Sequence, residues 1–141
     1  RKIKTTFFNQ INELLDWKSI GLIIDKDYHR GKSATGKPSY DGILLFKMCL
    51  LQNWYGLSDY EVEDRINDSI SFSYFCGLNI DQAAPDHSTL SRFRTALTKS
   101  GTFEKLFKSI NVQLEQSGII VKKGAIIDAS VIDTPLKPKG K

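Results

Sequence analysis

Between Ser39 and Tyr55 the chain carries an almost unbroken apolar run. Ile43, Leu44, Leu45, Phe46, Met48, Cys49, Leu50, Leu51, Trp54 and Tyr55 would cover nearly every side of a helix. A helix that is hydrophobic all round has no face left for water, so it must sit in the middle of a bundle with other helices around it. In that setting Met48 and Trp54 are core packing rather than a cofactor pocket. Gly56 ends the run as a helix C-cap, since only glycine enters the left-handed region without strain. Ser58-Asp59-Tyr60-Glu61 follows at once with the reciprocal capping pattern, serine with glutamate three positions on, and opens a helix over Asp59 to about Asp68. The two helices therefore meet at a tight Gly56-Leu57-Ser58 junction.

The remaining elements are those that such a central helix needs around it. Phe7, Phe8, Ile11, Leu14 and Leu15 keep helical spacing up to Trp17, which predicts an amphipathic helix over about 6–17, and Ile20 to Ile24 predicts a second, short one. Ile70 to Gly77 is short, aromatic and closed by glycine. It reads as a brief helix, with a strand as the alternative because Ser71-Phe72-Ser73-Tyr74 also alternates. Phe103, Leu106, Phe107, Ile110 and Leu114 predict a last helix ending at Gly118. From Ile119 the texture changes to β-branched runs, Ile119 to Val121 and Ala125 to Ile132, joined by Lys122-Lys123-Gly124 as a hairpin. The expected fold is mainly α, a compact helical bundle over residues 1–117 containing a helix-turn-helix-like unit, followed over 118–141 by a short C-terminal β-hairpin. The tail from Asp133, with two prolines and three lysines, is expected to be poorly ordered.

Charge is distributed unevenly. The net charge is +4 over 141 residues, yet residues 1–70 hold ten Lys or Arg against ten Asp or Glu, and residues 71–141 hold ten against six. The excess lies wholly in the second half, which fits an anionic partner. Cys49 and Cys76 stand 27 positions apart without a paired-cysteine motif, and there are two histidines. A structural zinc site is thus not expected, and both thiols read as buried apolar groups in a reducing cytosol. No run reaches the length of a membrane span and no signal peptide is evident, so a cytoplasmic protein is expected. The start at Arg1, without a methionine, suggests a trimmed fragment.

Within the basic half, Pro85-Asp86-His87-Ser88-Thr89-Leu90-Ser91-Arg92-Phe93-Arg94 has the features of a helix start. The proline cannot continue a preceding helix, and Asp86 or Ser88 can cap the first turn. Leu90, Phe93 and Leu97 make the inward stripe. At 100° per residue Ser88, Ser91, Arg92, Thr95 and Lys99 fall on the far side, where hydroxyls and cations can meet phosphates and base edges. The first-turn N–H groups add a further attraction for phosphate. Arg94 falls nearer the core and is expected to pair with Glu61, Glu63 or Asp64. With Ser58–Asp68 and Ile70–Cys76 this helix forms the helix-turn-helix-like unit of a DNA reader, the candidate contacts being Ser88, Thr89, Ser91, Arg92 and Lys99. The loop from Tyr28 to Pro38, with Arg30, Lys32 and Lys37, reads either as a solvated connector or as a basic arm on a phosphate backbone. Its glycines and lysines lack the spacing of a P-loop.

One acid stands out in the β-rich end. Asp128 lies among apolar strand residues, where an unpaired carboxylate is costly unless it binds a cation, or else faces water at an edge. A magnesium-dependent centre needs two or three converging carboxylates, and Asp133 beside Thr134-Pro135 reads as a turn former. His29 and His87 have no nucleophile at suggestive spacing.

Taken in order, Gly36-Lys37-Pro38, Leu51-Gln52, Tyr55-Gly56-Leu57-Ser58-Asp59, Asn67-Asp68-Ser69 with Phe72 and Phe75, Gly77-Leu78 and the Pro85–Arg94 motif resemble the N-terminal domain of bacterial insertion-sequence transposases of the InsH-like type. The resemblance runs over about residues 7–132. It implies a helical domain that contacts double-stranded DNA at the inverted repeats, ahead of an RNase H-like domain whose Asp-Asp-Glu triad holds divalent metal. Ile126-Ile127-Asp128-Ala129-Ser130 resembles the first catalytic strand. On this carry-over Asp128 is the first catalytic and metal-binding carboxylate, for Mg2+ or Mn2+ in the full-length enzyme. The chain stops at Lys141, before any second aspartate or glutamate of the triad, so the 118–141 segment is the start of an incomplete catalytic domain. The fragment is expected to bind DNA, to hold metal only feebly and to be inactive alone. The localisation implied is the bacterial cytoplasm, at the nucleoid. Two other readings stay open: a module that pairs transposase subunits as a homodimer, and a stand-alone helix-turn-helix regulator left by a truncated element.

Overall fold

The computed structural model describes residues 6–28, 40–122 and 125–128. The basic loop proposed as an arm on DNA and the tail from Asp133 lie outside the described residues. Among the described residues seven helices run in order: α1 (Thr6–Leu14), α2 (Trp17–Asp25), α3 (Gly42–Tyr55), α4 (Asp59–Asp68), α5 (Ile70–Cys76), α6 (His87–Lys99) and α7 (Thr102–Gln116). The fold is mainly α, as its apolar spacing requires. After α7 the backbones of β1 (Ile119–Lys122) and β2 (Ala125–Asp128) pair antiparallel, with Ile119 opposite Asp128 and Lys122 opposite Ala125.

α3 is the central element. Leu45, Phe46, Met48, Leu50, Leu51 and Trp54 are wholly buried, and the helix packs against α2, α4, α5 and α6. Each of these neighbours contributes one apolar face: Ile20 and Ile24 from α2, Val62 and Ile66 from α4, Phe72 and Phe75 from α5, Leu90, Phe93 and Leu97 from α6. α1 closes one end with an aromatic cluster in which Phe8 stacks on Phe75 at 4.8 Å and Phe7 meets the edge of Trp54 at 5.6 Å. Cys49 and Cys76 are buried free thiols, and burial pushes both up to about 12.

The helix boundaries follow local chemistry. Asp41 caps α3 by accepting from the Ile43 N–H at 3.1 Å, and Gly56 ends that helix at φ 67°. The capping box at the start of α4 is complete: Ser58 Oγ accepts from the Glu61 N–H, and Glu61 Oε1 accepts from the Ser58 N–H at 2.8 Å. Ile70–Cys76 is helical, closed by Gly77 at φ 82°, so the strand alternative is discarded. The first helix is shorter than its spacing suggests. It stops at Leu14 instead of continuing to Trp17, because Asp16 accepts from the Ser19 N–H and Oγ–H and thereby starts α2.

One cation lies inside this apolar framework. Lys47 of α3 donates to Asn12 Oδ1 and to the Phe75 carbonyl, each at 3.0 Å, and its ammonium sits 4.6 Å from the Trp17 ring centroid. Burial lowers its affinity for the proton. The two acceptors and the ring face compensate the lost hydration, and they tie α1, α2, α3 and α5 to one atom.

Candidate nucleic-acid interface

Asp86 is the N-cap of α6. Its carboxylate accepts from the Thr89 N–H at 2.8 Å and from the Ser88 Oγ–H at 2.9 Å. The backbone N–H of Thr89 beside it, followed by the Ser88 hydroxyl, holds the Asp86 carboxyl down at about 2. A second acid reaches the same turn from α4: Glu63 Oε1 accepts from the His87 backbone N–H at 3.0 Å and lies 3.1 Å from His87 Nδ1. The imidazole stacks on the exposed Tyr60 ring at 3.9 Å between centroids. Since the Leu90 N–H already bonds the Asp86 carbonyl, two of the three N–H groups ahead of it are taken, both by carboxylates. Two of the helix start's three free donors are thus used, and two acids occupy the place an anion would take, which weakens its attraction for phosphate.

The outer face of α6 is different. Ser88, Arg92, Thr95 and Lys99 recur at spacings of four, three and four, and all four are exposed. Arg92 and Lys99 make no hydrogen bond or ion pair among the described residues. At ~1.5 Å rise per residue they stand roughly 10 Å apart along one line. Thr89 and Ser91 are half-buried on the flanks of this stripe.

Arg94 turns inward, as its place on the wheel requires, but its partner is none of the three acids expected. Its guanidinium donates from Nη1 to Asp59 Oδ1 at 2.7 Å and from Nη2 to Asp59 Oδ2 at 2.9 Å, a bidentate pair. Nη1 also donates to Gln52 Oε1 at 3.1 Å, while Gln52 Nε2 donates to Asp59 Oδ1 at 2.7 Å. Asp59 is the first residue of α4 and sits at the α3–α4 junction, against α6. Glu61 is engaged in its capping box, Glu63 faces the start of α6, and Asp64 is exposed. Hydrogen bonds from Arg94 hold the Asp59 carboxyl below its ordinary value.

The family model described as Transposase domain (DUF772) matches residues 1–96, most of the 141-residue chain. The chain belongs to this transposase-domain family. No solved structure matches it. The matched stretch of the transposase domain spans α1 to α5 and most of α6, so the Pro85–Arg94 motif lies inside it and α7 lies outside.

Asp128 is the last residue of β2, and its side chain lies outside what the structure describes. Among the described residues no three of His, Cys, Asp or Glu converge in a way that could hold a metal ion, so the described part of the transposase domain does not by itself build a metal centre. No helix among them is long and apolar enough to cross a membrane. The features least visible beforehand are the Gln52–Asp59–Arg94 network and Lys47. A cation at position 47, inside an apolar run, was the sequence signal for the second.

Proposed function

We propose that this chain is the DNA-binding part of an InsH-like insertion-sequence transposase, and that the outer face of α6 engages the inverted-repeat ends of the element. The observation that carries this reading is the exposed Ser88–Arg92–Thr95–Lys99 stripe, whose two cations have no partner among the described residues. Arg92 and Lys99 take backbone phosphates, with the Thr89 and Ser91 hydroxyls beside them. Ser88 reaches DNA only by giving up its bond to Asp86. Asp128 is the first of the three acidic residues of the catalytic centre, and Mg2+ or Mn2+ is bound firmly only when the other two are present.

The test is the salt dependence of binding. Each phosphate contact contributes about 0.9 to the slope of log affinity against log salt. Arg92→Ala and Lys99→Ala should each weaken binding to an inverted-repeat duplex, and to a scrambled one, and should flatten the slope by about one unit. Unchanged affinity across the salt series would show that the stripe is not the interface.

A further inference from the structure

At the junction of α3, α4, α6 and α7 a cleft of about 520 Å³ opens beside Arg94. Gln52, Asn53, Asp59, Arg94, Phe103 and Phe107 are among the residues that line it. We infer that this cleft is a pocket for an unpaired guanine base. The inference rests on the reading of α6 as the DNA-facing helix.

Arg94 supplies the chemistry. Both hydrogens of Nη1 and one of Nη2 are committed to Gln52 and Asp59, which leaves Nε–H and the second Nη2–H without an acceptor among the described residues. Those two donors form the side edge of the guanidinium, a parallel pair that matches the adjacent O6 and N7 acceptors of guanine, whereas adenine sets an amino donor beside its N7 and cannot take both. Asp59 and Gln52 hold the fork in place before any ligand arrives, so little side-chain freedom is lost on binding. Asp59 also cancels the charge of Arg94. A near-neutral cleft with phenyl walls favours a planar uncharged group over a phosphate.

The walls suit a base. Phe103 and Phe107 are half-buried and pack edge to face at 4.8 Å, each also against Phe46, so they are fixed surfaces on which a base can stack. Asn53 is exposed at the rim and its amide has no partner among the described residues. A paired guanine carries its partner and both backbones and cannot enter a concave site, so the occupant is an unpaired one. Position also fits. Arg94 is one residue, or about 100°, from Thr95 of the outer stripe, so a strand held by Arg92 and Lys99 passes the mouth of the cleft.

Two arms test this with the whole 141-residue chain. In the first, guanosine 5′-monophosphate, its 7-deaza analogue and adenosine 5′-monophosphate are titrated while the NMR signals of the Asn53 amide and the Phe107 ring are followed. All three carry the same phosphate. The guanosine nucleotide should shift both signals saturably, with the other two about tenfold weaker. Equal shifts by all three, or none, overturn the inference. In the second arm, an inverted-repeat duplex with one bulged guanine should bind about tenfold tighter than the same duplex with a bulged adenine, and Asn53→Ala should reduce that preference. Equal binding of the two bulges overturns it. A chain that selects the guanosine nucleotide yet ignores duplex DNA would support the cleft and sink the reading of α6, so the two failures are distinct.

Discussion

Removing the Asp59 carboxylate is the sharpest test of how α3, α4 and α6 are joined. Three hydrogen bonds from Arg94, at 2.7, 2.9 and 3.1 Å, connect the guanidinium to Asp59 and Gln52. A buried bidentate pair that loses one partner costs about 3–5 kcal/mol, while an exposed pair contributes about 0–1 kcal/mol. Here the side chains are 32% and 22% exposed, so water can resolvate the orphaned guanidinium in part. The intermediate figure is about 2 kcal/mol for Asp59→Ala, or a drop in Tm of about 6–8 °C for a domain of this size. Asp59 also carries a pH signature. Its folded value lies below the ordinary 3.8, so its contribution is complete above that value and is lost as pH falls through the lower, folded one. Because Asp86 and Glu61 are depressed in the same direction, a single melt cannot separate them. A double-mutant cycle with Arg94→Ala can. The coupling energy should be about 1 kcal/mol at pH 7 and should shrink below pH ~3.8. Urea melts followed by circular dichroism give all four corners. Strictly additive single mutants at pH 7 would refute the argument, as would an Asp59→Ala protein that melts within about 1 °C of the parent.

Four further outcomes are expected. Asp86→Ala should cost about 1 kcal/mol through loss of the α6 cap, whereas Asp86→Asn should retain most of the stability and lose the part that vanishes between pH ~4 and 2; thermal melts over that range check both. Gly42→Ala should destabilise by about 1–3 kcal/mol, because an added Cβ would lie 2.7 Å from Ile24 Cγ2 and force α2 and α3 apart. Gly56→Ala meets no atom within 4 Å, so it should cost only the backbone strain at φ 67°, about 1–2 kcal/mol, by the same urea titration. Pure chain incubated with supercoiled plasmid and Mg2+ should produce no nicks above background, and cleavage that disappears in Asp128→Ala would overturn that expectation.

Much of the framework was readable because it rests on local rules. The all-round apolar run can only be a central helix, the serine and glutamate of the capping box act three residues apart, and Gly56 and Gly77 end their helices through their own backbone freedom. Asp16 was misread for an equally local reason. On a helical wheel it belongs to the polar face of α1, and only its bonds to Ser19 reveal that it starts a new helix instead. The partner of Arg94 was not readable at all. Glu61, Glu63 and Asp64 are equally plausible on a wheel of α4, and the choice of Asp59, 35 positions away in sequence, depends on how α4 and α6 pack in three dimensions. The outer stripe of α6 was visible as spacing. The lack of partners for its two cations among the described residues, and the use of the helix start by Asp86 and Glu63, emerged only when the neighbouring helix was in place.

The central position of α3 also sets how the molecule opens. Four helices cover its sides, so no fraying or local opening of one neighbour exposes its amide hydrogens to solvent. Those hydrogens should exchange with deuterium only through global unfolding, at a rate that reports the stability of the whole bundle, while amides at the α6 start exchange through smaller openings. Bound DNA would then be seen twice in one exchange experiment: as protection where it touches α6, and as a uniform slowing across α3 by a factor of one plus the ratio of free DNA concentration to Kd.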